Sequence, residues 1–206
     1  MIKKHWSPKY VYNRLQNYLF EKKHPELPWV NPTAITLLDS LLSPTDVGVE
    51  MGSGRSTVWY AQRCAQLTSI EDHKEWFDRI QGQLKAKKCE NVTYLFKTAE
   101  GRSPEATPYV QFVNELPDAS IDFIIVDGKH RDAIANTAID KLKMGGILLL
   151  DDSHRYLPYS TTSPHALGPN PDNMEPSWSH FYETVKNWRS IWTTNGVTDT
   201  TFFIKK

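Results

Sequence analysis

Between residues 46 and 151 the chain alternates short apolar runs with longer segments of helical period, and this alternation constrains the fold more than any other feature. Val47–Glu50, Leu67–Glu71, Val92–Phe96, Ile121–Val126 and Ile147–Leu150 are too short to be helices and read as strands, several of them fully buried. Ser56–Ala65, a segment with Trp76, Ile80 and Leu84 on one face, Pro104–Leu116 and Arg131–Lys143 fill the gaps as helices. Asp72, with Glu75 three residues on, has the spacing of a capping box opening the second of these. Strands alternating with helices in this way predict a parallel sheet covered on both faces.

The two ends depart from the pattern. Ser7 followed by Pro8 is a helix start, Val11, Leu15, Tyr18 and Leu19 recur at helical spacing, and Pro25 and Pro28 end the segment. Thr33–Leu42 is a second helix, with Ile35, Leu38, Leu41 and Leu42 on one face. Residues 1–45 are therefore expected to form a helical cap on a core of residues 46–206. At the other end, helical Ser177–Trp188 precedes two β-prone runs, Ile191–Thr194 and Thr201–Ile204. Asn195-Gly196 between them is a hairpin signal. Pro158–Pro176 is rich in Pro, Ser, Thr and Asn, the composition of a lid or a disordered loop.

Composition narrows the function. Lys and Arg total 24 and Asp and Glu 24, so the formal charge is zero and there is no electrostatic footprint for nucleic acid. A small-molecule or sugar partner is expected instead. Two cysteines make neither a disulfide framework nor a zinc site. No apolar run is long enough to span a membrane, and the start lacks the apolar stretch of a signal peptide. A cytoplasmic, reduced protein is the expectation.

Glu50-Met51-Gly52-Ser53-Gly54 joins the first strand to the first helix. Glycine there permits a tight turn and close approach of a ligand to the main chain. The dinucleotide fingerprint would need a third glycine at Thr57, and a phosphate-binding P-loop would need a lysine that is missing. A nucleoside without a pyrophosphate fits; a plain tight turn is the alternative. Glu71 ends the second strand about 20 residues on, where a carboxylate can accept both hydroxyls of a ribose. The alternative is a solvated strand end, and Asp72 next to it is assigned to the helix cap.

Asp127 follows the fourth strand, and Asp151 and Asp152 follow the fifth. Neighbouring strands lie ~4.8 Å apart, so three carboxylates converge, and they should repel unless one is protonated or a cation sits among them. Oxygen ligands of this kind suit Mg²⁺, which would lower the proton affinity of an acceptor hydroxyl. Ordinary turn and strand-end roles for the same acids stay open. His130 and His154 lie just beyond these acids and are candidate general bases. His154 leads into the expected lid; His130 could instead cap the helix after it. Trp178, Tyr156 and Tyr159 are candidates for an acceptor pocket.

Together Val47–Gly54, Ile70-Glu71, Ile121–Asp127 and Lys143–Leu150 resemble the class I S-adenosylmethionine-dependent methyltransferases, over residues 46–206. The resemblance implies a Rossmann-like α/β fold with a doubly wound, seven-stranded sheet of order 3-2-1-4-5-7-6, strand seven antiparallel. It implies S-adenosylmethionine held by Glu50, Gly52, Ser53 and Gly54 at its methionine part and by Glu71 at its ribose. Ala99 and Glu100 would lie near the adenine, and Asp127 counts as both cofactor-holding and catalytic. Acids at 127, 151 and 152 are similar to those of metal-dependent small-molecule O-methyltransferases. Catechol-type members usually carry Asn at the place of Asp152, so the all-acid set looks closer to the sugar and macrolide enzymes. The expected reaction is O-methylation of a small-molecule or sugar hydroxyl, with Mg²⁺ assistance an open clause. A non-catalytic binding module and a nicotinamide-dependent oxidoreductase are the rivals. The N-terminal helices either form a homodimer or close the pocket.

Overall fold

The computed structural model describes residues 6–206; residues 1–5, the start of the expected cap, lie outside the described ones. Seven strands form one sheet: β1 (Val47–Met51), β2 (Gln66–Glu71), β3 (Val92–Phe96), β4 (Ile121–Val126), β5 (Leu142–Asp151), β6 (Arg189–Thr194) and β7 (Asp199–Ile204). Their order is β3-β2-β1-β4-β5-β7-β6, as expected. The first five are parallel, and β7 runs antiparallel to both β5 and β6.

Two helical layers cover the sheet because its central strands are apolar on both faces. On one side α2 (Pro32–Leu41) and α3 (Arg55–Ala61) pack Ile35, Leu38 and Tyr60 against Phe123, Ile125, Leu149 and Phe202. On the other, α5 (Pro108–Glu115), α6 (Arg131–Lys141) and α7 (Ser179–Val185) pack Val110, Ile134, Ala138 and Phe181 against Val49, Ile124, Val126 and Leu148. Trp178 is buried among the latter and stacks on Tyr156, so it belongs to the core and lines no acceptor pocket. Helix α4 (Lys74–Ala86) turns Ile80 and Leu84 inward, as its spacing predicts.

Several boundaries move. Helix α3 stops at Ala61, short of Ala65, and β5 begins at Leu142, where a longer α6 was expected. Only Ser179–Val185 of the expected last helix is α-helical, after a short turn of 3₁₀-helix. Asp72 does not cap α4. Glu71 Oε1 takes the amides of Asp72 and His73, at 3.0 and 2.8 Å, and His73 is the cap residue, its Nδ1 accepting from Trp76 N at 3.4 Å. Asp72 is left to pair with Lys129. The loop after Pro158 is tied down, because Leu167 donates to the His154 carbonyl and Ser163 Oγ to Asp199.

The first helix, α1 (Pro8–Lys23), sits with an unexpected face inward. Asn17 is buried and accepts from Asn195 Nδ2 in the β6–β7 hairpin at 2.7 Å, while Val11, Leu15, Tyr18 and Leu19 remain about half exposed. Asn31, ahead of α2, donates to Thr193 Oγ1 of β6 at 2.9 Å. Both N-terminal helices therefore dock on the hairpin through amides.

Candidate active site

The turn after β1 is built around Gly52, whose φ of +98° is open chiefly to glycine. A Cβ there would meet the Gly128 backbone at 2.8 Å, so the turns after β1 and β4 press together. Thr57, which stands where a dinucleotide fingerprint has glycine, has its own task. Its hydroxyl accepts from Gly54 N at 3.0 Å and donates to Glu50 at 2.6 Å. Ser56 and Ser69 donate to the same carboxylate, each at 2.6 Å. Glu50 is fully buried, and burial raises its pKa to about 7 against those three hydroxyl donors.

Glu71 turns toward the glycine turn. Its Oε2 accepts from Ser53 N at 3.1 Å and Ser53 Oγ at 2.7 Å, and Tyr94 Oη lies 2.7 Å from the same hydroxyl. Ala99 is buried, and its carbonyl lies 2.8 Å from His130 Nε2; Glu100 is exposed. His130 occupies the cap position of α6 without making a side-chain cap bond. It ties the loop after β3 to the start of α6 rather than facing the acids.

Asp127 and Asp151 sit side by side at the ends of β4 and β5, as the strand register requires. Burial, foremost, raises Asp127 to about 6, opposed by Arg131. Burial also pushes Asp151 well above the carboxylate range, aided by the charges of Asp127 and Asp152. Burial and the two neighbouring carboxylates thus favour the protonated form of Asp151, whose Oδ1 accepts from Thr200 Oγ1 at 2.8 Å.

The cation among these acids is a side chain of the protein. Arg131 Nη2 donates to Asp127 Oδ1 at 2.7 Å, Nη1 to the Asp151 carbonyl at 2.6 Å and Nε to the Gly128 carbonyl at 3.0 Å. Arg155 lies 3.2 Å from Asp152, which also accepts from Thr198 at 3.1 Å. No group of three His, Cys, Asp or Glu among the described residues is arranged to hold a metal ion. Two acids of the expected Mg²⁺ site are thus paired with guanidinium groups of the protein, Asp127 with Arg131 and Asp152 with Arg155, and this donor set does not fit the ion. His154 is buried, with Nε2 3.0 Å from the Pro164 carbonyl and Nδ1 without a partner, and burial lowers its pKa. It is a neutral latch for the loop after it, away from the hollow between the acids.

That hollow holds about 30 Å³ and is lined by Glu50, Gly52, Ser53, Asp127 and Asp151, with Pro28, Trp29 and Val30 completing its wall. Sequence reasoning missed the closing segment and Arg55. Trp29 stacks on Trp76 at 6.0 Å, Arg55 lies over Trp29 and Arg79 over Trp76, giving a guanidinium–indole–indole–guanidinium ladder. Trp76 Nε1 also donates to the Ser53 carbonyl at 2.8 Å. Arg55 Nε and Nη2 are buried with no hydrogen-bond partner, a costly arrangement beside a hollow. Arginine directly after Gly54 was the one signal that could have pointed to it.

The profile of a methyltransferase-domain family matches residues 49–153. No curated protein matches the sequence. Among solved structures, a Streptococcus mutans protein in complex with S-adenosylhomocysteine is 12% identical, with a TM-score of 0.57 over 86% of this chain and 99% of its own. A Geobacter sulfurreducens methyltransferase is 10% identical, with a TM-score of 0.56 over 94% and 88% of the two chains. An rRNA methylase of Streptococcus thermophilus is 12% identical, with a TM-score of 0.55 over 85% and 97%. No helix among the described residues is long and apolar enough to cross a membrane.

Proposed function

Because the chain belongs to this methyltransferase-domain family, we propose that it transfers the methyl group of S-adenosylmethionine to a hydroxyl of a small molecule or sugar, without a resident metal. One observation carries the reading: the turn after β1, pressed against Gly128 at Gly52, borders a hollow lined by Asp127, Asp151 and Ser53, and Glu71 holds Ser53 by its amide and hydroxyl. The residues present fit the cofactor by their chemistry, but the hollow of about 30 Å³ must open at Pro28–Val30 to admit it. Arg55, with two unpartnered nitrogens, supplies a counter-charge for the methionine carboxylate. Glu50 and the Gly52–Gly54 backbone line the methionine part. Glu71 takes the ribose diol in place of the Ser53 hydroxyl, and the loop of Ala99 and Glu100 borders the adenine.

When bound, S-adenosylmethionine supplies an electrophilic methyl on a sulfonium. Asp127, raised to about 6, is ionised at neutral pH and is the group best matched to accept the proton of an acceptor hydroxyl. Arg131 fixes it through hydrogen bonds to its carboxylate and its carbonyl. Pro28–Val30 exclude water from the hollow, which assigns the N-terminal segment to pocket closure. The exposed stripe Val11, Leu15, Tyr18 and Leu19 supports a homodimer through α1 as well.

Calorimetry with S-adenosylhomocysteine tests the core of this reading. Wild-type protein should bind, and Glu71→Ala should weaken binding at least tenfold, about 1.4 kcal/mol. Absence of binding by the wild type at millimolar ligand overturns it.

A further inference from the structure

A second concavity, of about 450 Å³, lies at the outer edge of the sheet and plays no part in the site described above. Its back wall is rigid. The Trp192 ring is covered by Tyr159 at 5.2 Å and an interplanar angle of 3°, and its Nε1 donates to Asp199 at 3.1 Å. Even so, 38% of Trp192 stays exposed, a large apolar surface for a residue held so firmly.

The polar groups around that ring divide into two sets. Thr161, Thr194 and Asn195 are engaged within their own turns, with Ser163, Asp199 and Thr198 as partners. By contrast, the side chains of Lys9, Asn13, Ser160 and Thr162 make no hydrogen bond or ion pair among the described residues. A flat indole with unengaged hydroxyl and amide groups around it complements a ring that is apolar on one face and hydroxylated at its edge. That is the chemistry of a sugar. A polyanion fits poorly, since Lys9 is the one cation in the lining and nucleic-acid affinity comes mainly from several phosphate contacts.

Position links the groove to the reaction. Asp151 pairs with Thr200 and Thr200 with Thr193, so β6 lies two strand spacings, ~10 Å, from Asp151 at the same end of the sheet. We propose that Trp192, Asn13, Ser160 and Thr162 form a saccharide subsite that holds an extended acceptor by a sugar residue outside the one that is methylated. The assignment rests on the methyltransferase reading for its purpose, but its chemistry is tested separately.

The test is retention of the full chain, saturated with S-adenosylhomocysteine, on an array of immobilised neutral and uronic-acid oligosaccharides. Wild-type protein is expected to be retained. Trp192→Ala should lose at least tenfold, and Asn13→Ala and Thr162→Val severalfold each, roughly one hydrogen bond apiece. Calorimetric affinity for S-adenosylhomocysteine should stay the same in all three. Asn13→Ala and Thr162→Val decide the matter if Trp192→Ala fails to fold. The subsite is overturned if wild-type protein binds S-adenosylhomocysteine but no saccharide, or if the variants are retained as well as wild type. It is also overturned if decauridylate binds in a Trp192-dependent manner and displaces the sugar. Failure to bind S-adenosylhomocysteine strikes the methyltransferase reading instead, and sugar retention still judges the groove.

Discussion

Replacing Arg131 by methionine removes the one guanidinium that touches the Asp127 carboxylate and three main-chain carbonyls at the ends of β4 and β5. Breaking a buried pair by deleting one partner costs about 3–5 kcal/mol. Arg131 is 15% exposed but Asp127 is 38% exposed, and solvent screening argues for the lower end, about 3 kcal/mol. In a chain of 206 residues that is a fall in Tm of roughly 6–12 °C. The loss should depend on pH in a defined sense. Asp127 already titrates at about 6, above its unfolded value, and without Arg131 it would titrate higher still. A carboxyl raised on folding stabilises fully below its unfolded pKa and loses that contribution as pH climbs through the folded one. The gap between wild type and Arg131→Met should therefore be widest near pH 8 and shrink toward pH 5. Urea unfolding at both pH values measures it. A gap that does not change with pH, or a loss below ~1 kcal/mol, would refute the placing of Arg131 as counter-ion to the pair. Stability restored to the variant by millimolar Mg²⁺ would show that the acids suit a metal after all.

Three further outcomes follow from the same geometry. The methyl-transfer rate should rise with pH through about 6 as Asp127 loses its proton, and Asp127→Asn should lower kcat at least a hundredfold while S-adenosylhomocysteine affinity changes little. Trp29→Ala should speed S-adenosylhomocysteine release in stopped-flow fluorescence severalfold, since Trp29 closes the hollow and is held by Trp76; an unchanged rate removes the closing role. Leu15→Glu should turn a dimer into a monomer in light scattering, with the fold kept; a wild-type protein already monomeric at high concentration removes the α1 interface.

What could be read in the sequence follows the range of the forces involved. Strand identity depends on local burial, and Ile121–Val126 and the stretch ending in Leu150 are apolar enough to allow no other place than the middle of a sheet. The β6–β7 hairpin was equally legible, because Gly196 needs its φ of +75° and Asn195 accepts from the amides of Val197 and Thr198. Convergence of Asp127, Asp151 and Asp152 follows from strand order alone, and with it the need for a proton or a cation. Which of these the protein uses was not legible. Arg131 pairs with Asp127 across the left-handed His130 at the head of α6, and spacing along a sequence does not reveal that geometry. Both histidines look like bases on paper, yet each turns to a backbone carbonyl, of Ala99 or of Pro164.

Helix α1 shows the same limit from the other direction. A helical stripe of Val11, Leu15, Tyr18 and Leu19 states that an apolar face exists, not that this chain supplies its partner. The body of the protein offers α1 a hairpin tip whose asparagine donates, and a buried amide answers it better than leucine would. Without Asn17 the half-buried Asn195 amide would lose its acceptor, at a cost of about 1 kcal/mol. Apolar contact would recover less than that across so small a patch. The amide pairs Asn17–Asn195 and Asn31–Thr193 thus fix where the N-terminal segment crosses the sheet edge, and so bring Pro28–Val30 over the hollow. The same docking sets Asn13 against Gly196, with the groove of Trp192 beside it. The docking amides therefore position both the closing segment over the acids and the rim of the outer groove, which is why Asn17→Ala, unlike Asn13→Ala, should affect turnover without touching a reacting atom.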